Sequence, residues 1–388
     1  MIKRDLQSRL ENAAQQFPAV TLTGPRQSGK STLCRSVFPD HAHANLEAPD
    51  VRAFATEDPR GFLGQFPGGA ILDEVQRCPE LPSYLQGIID NDPRPGRWIL
   101  TGSQNLTLLE SVSQSLAGRT AMLQLLPLTY AEITRFAEHP QSLDDILLAG
   151  GYPRIYDQQL TPHDWLGAYV GTYVERDVRT IANIGDLATF QRFLHLCAGR
   201  TAQLLILASL ATDAGISQPS AKAWLSILET SFIAHRLMPW SGNVRKRLVK
   251  TPKLHFYDTG LLCWLLGIRS VDQLHLHPLR GAIFETWVVS EIFKHRTNRG
   301  ESNGLFFIRD RHGLEADALI DEPTRKRIVE TKAGQTVTSD MVGSCRKIAN
   351  TLSDLGPVDP VVVYAGDARQ ARHDVVILPW TDLHTWDW

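Results

Sequence analysis

The chain has 388 residues, of which 43% are hydrophobic and 21% are charged, and its formal net charge is −2. This length predicts two or three domains, and the composition excludes wholesale disorder. A nearly neutral chain has no overall attraction for nucleic acid, so any such binding must come from a local basic patch. The longest apolar run, residues 261–266, is too short to span a bilayer, and the first residues lack an apolar signal core. We therefore expect a cytoplasmic protein without a membrane partner.

Near the start of the chain, an apolar run at residues 19–23 predicts a buried strand, which is followed by a loop and a helix. The loop sequence GPRQSGKS fits the phosphate-binding pattern G-x-x-x-x-G-K-[S/T] without a mismatch. In this pattern backbone N–H groups surround the phosphates, Lys30 reaches the β- and γ-phosphates, and Ser31 ligates Mg²⁺. The strand before the loop and the helix after it disfavour a chance match. The predicted ATP-binding residues here are Gly24, Pro25, Arg26, Gln27, Ser28, Gly29, Lys30, Ser31 and Thr32.

A further strand, predicted at residues 70–73, ends in the two carboxylates Asp73 and Glu74. Downstream of a phosphate-binding loop, we expect Asp73 to hold Mg²⁺ through water and Glu74 to polarise the water that attacks the γ-phosphate. A strand that ends in Asp-Glu is common by itself and is usually only a solvated strand end. Its position after the loop favours hydrolysis of ATP over binding alone.

Another strand, at residues 97–101, is followed by the sequence GSQN, in which a polar side chain could sense the γ-phosphate. We assign this role to Ser103, with Gln104 and Asn105 as alternatives. Strand and helix patterns alternate from residue 1 to about 157, as expected for helices packed on both faces of a parallel sheet. The predicted strands are 19–23, 42–46, 70–73, 97–101 and 121–126.

Arg119 precedes the last of these strands. A guanidinium can neutralise the charge that develops on the γ-phosphate, so Arg119 is a candidate for completing an ATP site. It would act either on its own subunit or, in a homo-oligomer, on a neighbouring one. The alternative is an ordinary surface arginine before a strand.

Between residues 158 and 270 the pattern becomes mainly helical. Segments 204–211 and 218–229 have helical spacing, and the turn between them contains Gly215 and the expected N-cap Ser217, which predicts a helix-turn-helix. A basic stretch without acidic residues follows, where the wing of a winged helix would lie, and it could hold DNA by its backbone. Its basic residues are Arg236, Arg245, Lys246, Arg247, Lys250 and Lys253, of which we assign Arg245, Lys246, Arg247 and Lys250 to nucleic acid. The alternative is a winged helix used for packing and subunit contacts.

Residues 271–388 are predicted to form a separate α/β unit, with a helix at 282–294 and short strands at 305–308, 316–320, 327–331 and 361–364. Glu330 and Lys332 share one face of their strand, and a hairpin would bring Asp317 beside them. Two carboxylates can hold a divalent cation, and a nearby lysine can orient or deprotonate the water that attacks a phosphodiester. We assign Asp317, Glu330 and Lys332 as catalytic and Asp317, Glu330 and Glu285 as metal ligands. This order resembles the D…E-x-K core of the PD-(D/E)XK nuclease superfamily, although Ala316 replaces its proline.

The ordered motifs resemble one family over nearly the whole chain. GPRQSGKS, ILDEVQ and ILTGSQN are followed by SLAGR, LLPL, GGYP, YVERD, KLHFYDTG and ETK. In this order they are similar to the prokaryotic AAA+ ATPases whose C-terminal half is a domain of unknown function. The resemblance implies an AAA+ P-loop domain at residues 1–157, a helical and winged-helix domain at 158–270 and a nuclease-like domain at 271–388. It implies architecture more firmly than biological role.

We therefore interpret the chain as an α/β protein that uses ATP and Mg²⁺ as an AAA+ ATPase acting on or near DNA. Its C-terminal domain would be a binding module or a metal-dependent nuclease. A different class of function is a nucleotide-gated interaction protein, in which the nuclease-like domain is inactive and only binds a partner. A processive helicase is disfavoured, because the sequence contains no further recognisable helicase motif.

Overall fold

The computed structural model describes residues 2–103, 112, 114–178, 186–242, 249–301, 303–310, 313–336, 338–372 and 374–388. The chain folds as two compact units. The first comprises Met1–Leu128 with the short segments Thr230–Phe232 and Asn298–Gly300, and the second comprises Thr129–Glu229, Ile233–Thr297 and Glu301–Trp388. Within the described ranges, none of the helices combines the length and the apolar character that crossing a membrane requires.

The first unit contains a sheet whose five described strands all run parallel, in the order β2-β3-β4-β1-β5. The strands are β1 (Ala19–Thr23), β2 (Ala42–Asn45), β3 (Ala70–Asp73), β4 (Trp98–Gly102) and β5 (Thr120–Gln124). The helices are α1 (Gln7–Gln16), α2 (Lys30–Val37), α3 (Pro49–Glu57), α4 (Pro59–Gly64) and α5 (Leu81–Asn91), and a 3₁₀ turn covers Val75–Arg77. All five predicted strands are therefore confirmed, with small shifts at their ends.

Side chains alternate between the two faces of this sheet, and both faces are buried. Val20, Leu22 and Ile99 pack with Leu10 of α1 and Leu33 of α2 on one face. The other face is formed by Leu72, Trp98 and Leu100, which pack with residues of α3, α4 and α5. A strand that is covered on both faces has a continuous apolar sequence, which is why these strands could be predicted from the sequence. Because neighbouring strands run parallel, the carboxyl ends of the central strands β1, β3 and β4 lie at one edge of the sheet.

The first part of the second unit is helical. Its helices are α6 (Tyr130–Ile133), α7 (Leu143–Ala149), α8 (Pro153–Asp157), α9 (Pro162–Tyr169), α10 (Leu187–Ala198), α11 (Leu207–Ala214), α12 (Gln218–Thr230), α13 (Thr259–Leu265) and α14 (Val271–Leu276), and Val170–Val178 is π-helical. Two short antiparallel strands, β6 (Ala234–Leu237) and β7 (Lys253–Phe256), follow α12.

Helices α11 and α12 are joined by the predicted tight turn. Gly215 ends α11 in the left-handed conformation, with φ at 73°, and the Ser217 hydroxyl accepts the backbone N–H of Ser220 at 3.2 Å. The first of these helices begins later than the predicted 204–211. Leu204 and Leu205 instead pair with the chain around Lys253, because the backbone N–H of Leu205 donates to the carbonyl of Pro252 at 2.8 Å.

The last part of the second unit is a mixed sheet of six described strands in the order β12-β13-β11-β10-β9-β8. The strands are β8 (Leu305–Arg309), β9 (Glu315–Asp321), β10 (Lys326–Lys332), β11 (Val358–Tyr364), β12 (Gln370–Arg372) and β13 (Val375–Pro379), and the helices are α15 (Arg280–Arg299) and α16 (Ser339–Leu352). Strands β8, β9 and β10 are antiparallel, whereas β10 is parallel to β11 and β11 to β13.

The strand at 361–364 was the last element predicted from the sequence, but β12 and β13 follow β11, and helix α16 was missed as well. Val342, Cys345, Ile348 and Leu352 of α16 lie at helical spacing and pack on the sheet. That periodicity was available in the sequence and would have identified the helix.

Candidate functional site

The loop between β1 and α2 has a backbone that only particular residues allow. Gly24 and Gly29 have φ values of 150° and 92°. A Cβ atom at Gly24 would lie 2.1 Å from the carbonyl oxygen of Leu125, so a larger residue would push the loop away from the end of β5. The Ser28 hydroxyl is buried and, among the described residues, has no hydrogen-bond partner. A polar atom left unpaired in this position is available to a ligand.

Lys30 points back into the same loop. Its Nζ donates to the carbonyl oxygens of Gly24 and Pro25, at 3.0 and 2.9 Å, and the side chain is almost completely buried. Burial lowers the pKa of Lys30, and the carboxylates of Glu74 and Asp73 oppose that shift. The ammonium is therefore held by neutral oxygens that phosphate oxygens can replace.

The predicted metal ligands Ser31 and Asp73 lie together at the edge of the sheet. The Ser31 hydroxyl donates to Asp73 Oδ2 at 2.6 Å, and the Thr101 hydroxyl donates to Asp73 Oδ1. His43 Nε2 is 3.7 Å from the same carboxylate, and burial lowers the pKa of that histidine. A hydroxyl and a carboxylate are the hard oxygen ligands that Mg²⁺ prefers, so this pair fits the ion.

Glu74 is positioned by its neighbours beyond the strand end. Its φ of 58° is left-handed, which is uncommon for a residue with a side chain. The Ser103 hydroxyl donates to Glu74 Oε2 at 2.9 Å, and Gln76 donates to both Glu74 and Ser103. Ser103 thus contacts the predicted base itself. Gln76 and Thr101 were not identified from the sequence, and the assigned alternatives Gln104 and Asn105 lie outside the described residues.

Arg119 lies at the opposite end of the sheet from this site. The backbone N–H of Ala19, the first residue of β1, donates to the Arg119 carbonyl, whereas the phosphate loop follows the last residue, Thr23. At about 3.3 Å per residue the strand alone separates the two by roughly 13 Å. The guanidinium also pairs with Asp90, at 2.5 and 3.0 Å. This placement does not support action of Arg119 on its own subunit.

Arg4 contacts the phosphate loop and was not identified from the sequence. Its guanidinium donates to the carbonyl of Ser28 at 2.7 Å and to the carbonyl of Leu126 at 2.8 Å, and the side chain is buried. Arg26, a predicted loop residue, is partly exposed and lies 3.3 Å from Glu47. Arg4 therefore ties the loop to the chain beyond β5, while Arg26 faces outward.

A second cluster of charged groups lies in the second unit and lines a cleft of about 540 Å³. The Lys253 ammonium is buried there and lies 2.7 Å from Glu285, 2.5 Å from Glu315 and 3.4 Å from Asp317. Asp317 Oδ2 also accepts the backbone N–H and the hydroxyl of Thr331, at 2.8 and 2.7 Å. The predicted ligands Glu285 and Asp317 are thus brought together, and Glu315 and Lys253 are additions that the sequence analysis missed.

Glu330 and Lys332 pair with each other, at 2.6 Å between Oε1 and Nζ. Burial and the negative charge of Asp317 raise the pKa of Glu330 to about 7. Its second oxygen, Oε2, is buried and finds no hydrogen-bond partner in the part of the chain that is described. In that same part, no group of three or more His, Cys, Asp or Glu residues is arranged to hold a metal ion. The metal site at Asp317, Glu330 and Glu285 stays a prediction.

The basic stretch separates into different environments. Lys253, which was assigned to the basic stretch from its neighbours in sequence, is buried, because β7 directs it into the carboxylate cluster. Arg236 is paired with Glu229, at 2.7 and 2.8 Å, while Lys250 is exposed. The assigned Arg245, Lys246 and Arg247 lie outside the described residues. The nucleic-acid assignment therefore remains a prediction for Lys250 and those three residues.

Two motifs of the resemblance, GGYP and YDTG, contact each other. The buried Asp258 carboxylate accepts the backbone N–H groups of Gly151, at 2.6 Å, and Leu261, at 2.8 Å. A Cβ atom at Gly150 would lie 2.4 Å from that carboxylate, and one at Gly260 would lie 2.7 Å from the carbonyl oxygen of Ala149. These glycines are required by close packing, so the motifs have a structural role here.

Comparison with known families divides the chain into three segments. Residues 16–134 match the family described as "AAA domain", residues 140–272 match "Domain of unknown function (DUF8612)" and residues 280–383 match "Domain of unknown function (DUF4143)". The first match contains the loop and the carboxylates described above. It confirms the predicted AAA-type P-loop ATPase domain, whereas the predicted domain boundaries stay predictions.

Two relatives match nearly the whole of this chain. Over 378 residues the chain is 30% identical to the uncharacterized proteins Rv2008c of Mycobacterium tuberculosis and Mb2031c of Mycobacterium bovis. The alignments cover 97% of this chain and 82% of each relative. The chain belongs to the family of these two mycobacterial proteins.

Similarity to solved structures is weaker for this family member. The Walker-type ATPase paby2304 of Pyrococcus abyssi has a TM-score of 0.41 and 18% identity, and the match covers 68% of this chain and 96% of that one. AMPPCP-bound DnaA from Aquifex aeolicus has a TM-score of 0.30 and 13% identity, with 58% and 85% covered. These TM-scores are too low to support a conclusion about this chain.

Proposed function

We propose that this chain is an ATP-hydrolysing AAA-type ATPase that works in the cytoplasm on or near DNA. The observation that carries the first part is the convergence of the phosphate loop with Ser31, Asp73 and Glu74 at one edge of the parallel sheet. Ligands of open parallel sheets bind beyond the carboxyl ends of the strands, which is where these residues lie.

The residues of this site have different roles in phosphoryl transfer. Loop N–H groups and Lys30 bind and orient the phosphates of ATP, with the Ser28 hydroxyl free to join them. Ser31 and Asp73 would hold Mg²⁺, which when bound neutralises charge on the β- and γ-phosphate oxygens. Glu74 accepts a proton from the attacking water, and the Ser103 hydroxyl keeps its carboxylate in place.

Two substitutions test this assignment. Lys30→Ala removes the cation that pairs with the phosphates and should abolish ATP binding or at least turnover. Glu74→Gln should bind ATP well and hydrolyse it slowly, because the metal ligands survive while the base is lost. Glu57→Gln is the matched control, since Glu57 is an exposed carboxylate at the end of α3. Equal turnover in Glu74→Gln and Glu57→Gln would show that Glu74 is not the base.

For the DNA part of the proposal, the supporting feature is the helix-turn-helix of α11 and α12 followed by the β6–β7 ribbon. This order of elements is typical of a winged helix, with the basic stretch as its wing. Replacing Arg245, Lys246 and Arg247 together by alanine should lower affinity for DNA and flatten its dependence on salt. The control is Arg236→Ala, because that guanidinium is already paired. If the DNA affinity of the triple variant depends on salt as strongly as that of the wild type, these three residues do not make the contact with DNA.

Another outcome favours the alternative class of function. If DNA does not change the rate of ATP turnover while the triple variant behaves as wild type, the chain is better described as a nucleotide-gated interaction protein. If Arg119 takes part in ATP hydrolysis, its position leaves a neighbouring subunit as the site that it completes; the alternative is a surface arginine paired with Asp90. Homo-oligomerisation is part of this proposal.

A second candidate activity is metal-dependent DNA cleavage by the C-terminal part of the chain. Helix α15, the antiparallel strands β8, β9 and β10, helix α16 and the parallel strand β11 follow in the order of a nuclease-like core. Asp317→Ala should lose Mg²⁺- or Mn²⁺-dependent cutting and keep ATP turnover, and Ca²⁺ should support little cutting. The exposed Asp359, paired with Arg325, supplies the control Asp359→Ala. Cutting that survives Asp317→Ala would refute this site.

A further inference from the structure

Lys253 is held firmly at the centre of the charged cleft. Its backbone pairs with Leu237 of β6 and forms a bridge with Leu204, so the base of the side chain is fixed on two sides. The side chain is only 3% exposed, and its ammonium lies within 3.4 Å of three carboxylates. A lysine in this environment is part of the cleft and is not a solvated surface charge.

The carboxylates keep this lysine charged. Burial alone would lower the pKa of Lys253, but Glu285, Asp317 and Glu315 raise it above its usual value. Three carboxylates therefore share one buried ammonium, while Arg309 also pairs with Glu315, at 3.0 Å, and Lys332 pairs with Glu330, at 2.6 Å.

The hydrogen bonds of the cleft leave one buried carboxylate oxygen without a partner among the described residues. An ammonium has three N–H donors, and Glu285, Glu315 and Asp317 are three acceptors for them. Glu330 lines the same cleft, and its buried Oε2 has no hydrogen-bond partner within the described ranges. A buried carboxylate oxygen without a partner is costly unless something occupies the space in front of it. The cleft thus retains an oxygen ligand that Lys253 does not serve.

We propose that this cleft is a divalent-cation site for which Lys253 is a built-in competitor. The ammonium occupies the position among Glu285, Glu315 and Asp317 that a metal ion would need. Mg²⁺ or Mn²⁺ therefore binds only when Lys253 is displaced, and Glu330 Oε2 then becomes a further ligand. The inference deepens the second candidate activity and rests on its carboxylate cluster. The experiment that tests this inference measures metal binding and not DNA cleavage. A protein that binds the metal but cuts no DNA therefore supports the inference and contradicts only the second candidate activity.

The experiment measures Mn²⁺ binding to the nucleotide-free full chain by the electron paramagnetic resonance of free Mn²⁺. All proteins carry Asp73→Asn, which removes a carboxylate of the other predicted metal position. Lys253→Met keeps the length of the side chain without its charge and should gain one Mn²⁺ site, about tenfold or more tighter than any in the parent. Lys253→Arg keeps the charge and should gain none. Adding Asp317→Asn to Lys253→Met should remove the new site.

Two results would overturn the proposal in these proteins. One is equal Mn²⁺ binding by the parent and Lys253→Met, and the other is a gained site that survives Asp317→Asn. If Lys253→Met does not fold, reductive methylation of the parent followed by mass spectrometry decides the question. Lys253 should react more slowly than the exposed Lys250, and millimolar Mn²⁺ should speed the reaction of Lys253 alone. Fast methylation of Lys253 without metal, or slow methylation that Mn²⁺ leaves unchanged, contradicts the proposal.

Discussion

Replacing Arg4 by alanine should weaken ATP binding, although Arg4 belongs to none of the predicted phosphate contacts. The Arg4 guanidinium joins the carbonyl of Ser28, inside the phosphate loop, to the carbonyl of Leu126, beyond β5. Gly29 is close as well, since a Cβ atom there would lie 3.6 Å from the same guanidinium. Without Arg4 the loop loses the contact that fixes its middle. ATP must then order the loop when it binds.

The expected loss of ATP affinity can be estimated from the two hydrogen bonds of Arg4. A hydrogen bond from a charged donor contributes about 1.5–3 kcal/mol, and both of these bonds are buried. The bond to Ser28 is present in the ordered loop and absent in the loosened one. Its loss therefore weakens the free energy of ATP binding by about 1.5–3 kcal/mol. This corresponds to a roughly 10- to 150-fold rise in Kd. The bond to Leu126 contributes to the stability of the first unit in both loop states.

Calorimetric titration with a non-hydrolysable ATP analogue measures the change directly. Arg9→Ala is the matched control, because Arg9 lies in the same N-terminal segment and makes an exposed hydrogen bond to the carbonyl of Arg299 at 2.8 Å. Arg4→Lys keeps a charged donor and should bind the analogue with intermediate affinity. If Arg4→Ala folds, as judged by thermal unfolding, and binds the analogue as tightly as Arg9→Ala, then Arg4 does not order the loop for ATP.

Other substitutions test the rest of the structure. Asp258→Ala leaves two buried N–H groups unpaired and should lower the free energy of unfolding by roughly 3–5 kcal/mol in urea denaturation; a loss below 1 kcal/mol, about the value of a helix cap, would contradict that role. Because the pKa of Glu330 is raised to about 7, the folded state binds this proton more tightly than the unfolded state. Stability should therefore fall by on the order of 3 kcal/mol as the pH rises from about 4.5 to 7, and Glu330→Gln should flatten that fall. Mixing Arg119→Ala with Lys30→Ala should restore some ATP turnover if Arg119 acts on a neighbouring subunit, whereas no restoration in stable mixed oligomers would exclude that action.

The parallel sheet and the phosphate loop could be predicted because local sequence determines both. Strands buried on both faces are apolar runs, and a loop that wraps phosphate needs glycine where φ is positive, as at Gly29. Asp73 and Glu74 could be placed because the ends of parallel strands meet at one edge of the sheet. Their partners Thr101 and Gln76 were missed, because no sequence pattern says which neighbouring side chain turns toward a carboxylate.

Contacts between residues that are far apart in the sequence could not be predicted. Arg4 lies 122 residues from the carbonyl of Leu126, and Asp258 lies 107 residues from the N–H of Gly151. The sequence showed the motifs around Asp258 without showing that they pack together. Lys253 was placed in a solvated basic stretch since its neighbours in sequence are basic. Its surroundings are set by strand β7, which buries it against carboxylates from α15 and β9.

Each of the two candidate sites contains a buried lysine, and the partners of the two lysines differ in charge. Lys30 donates to neutral carbonyl oxygens of its own loop, so an incoming phosphate can take over those bonds without leaving a charge behind. Lys253 is bound to carboxylates, so moving it leaves negative charge buried in the cleft unless another cation arrives. Only the first lysine is therefore ready to receive an anion. The second can be released only in exchange for a cation, which is why we expect ATP with its Mg²⁺ to act on the first site and a divalent metal without nucleotide to act on the second.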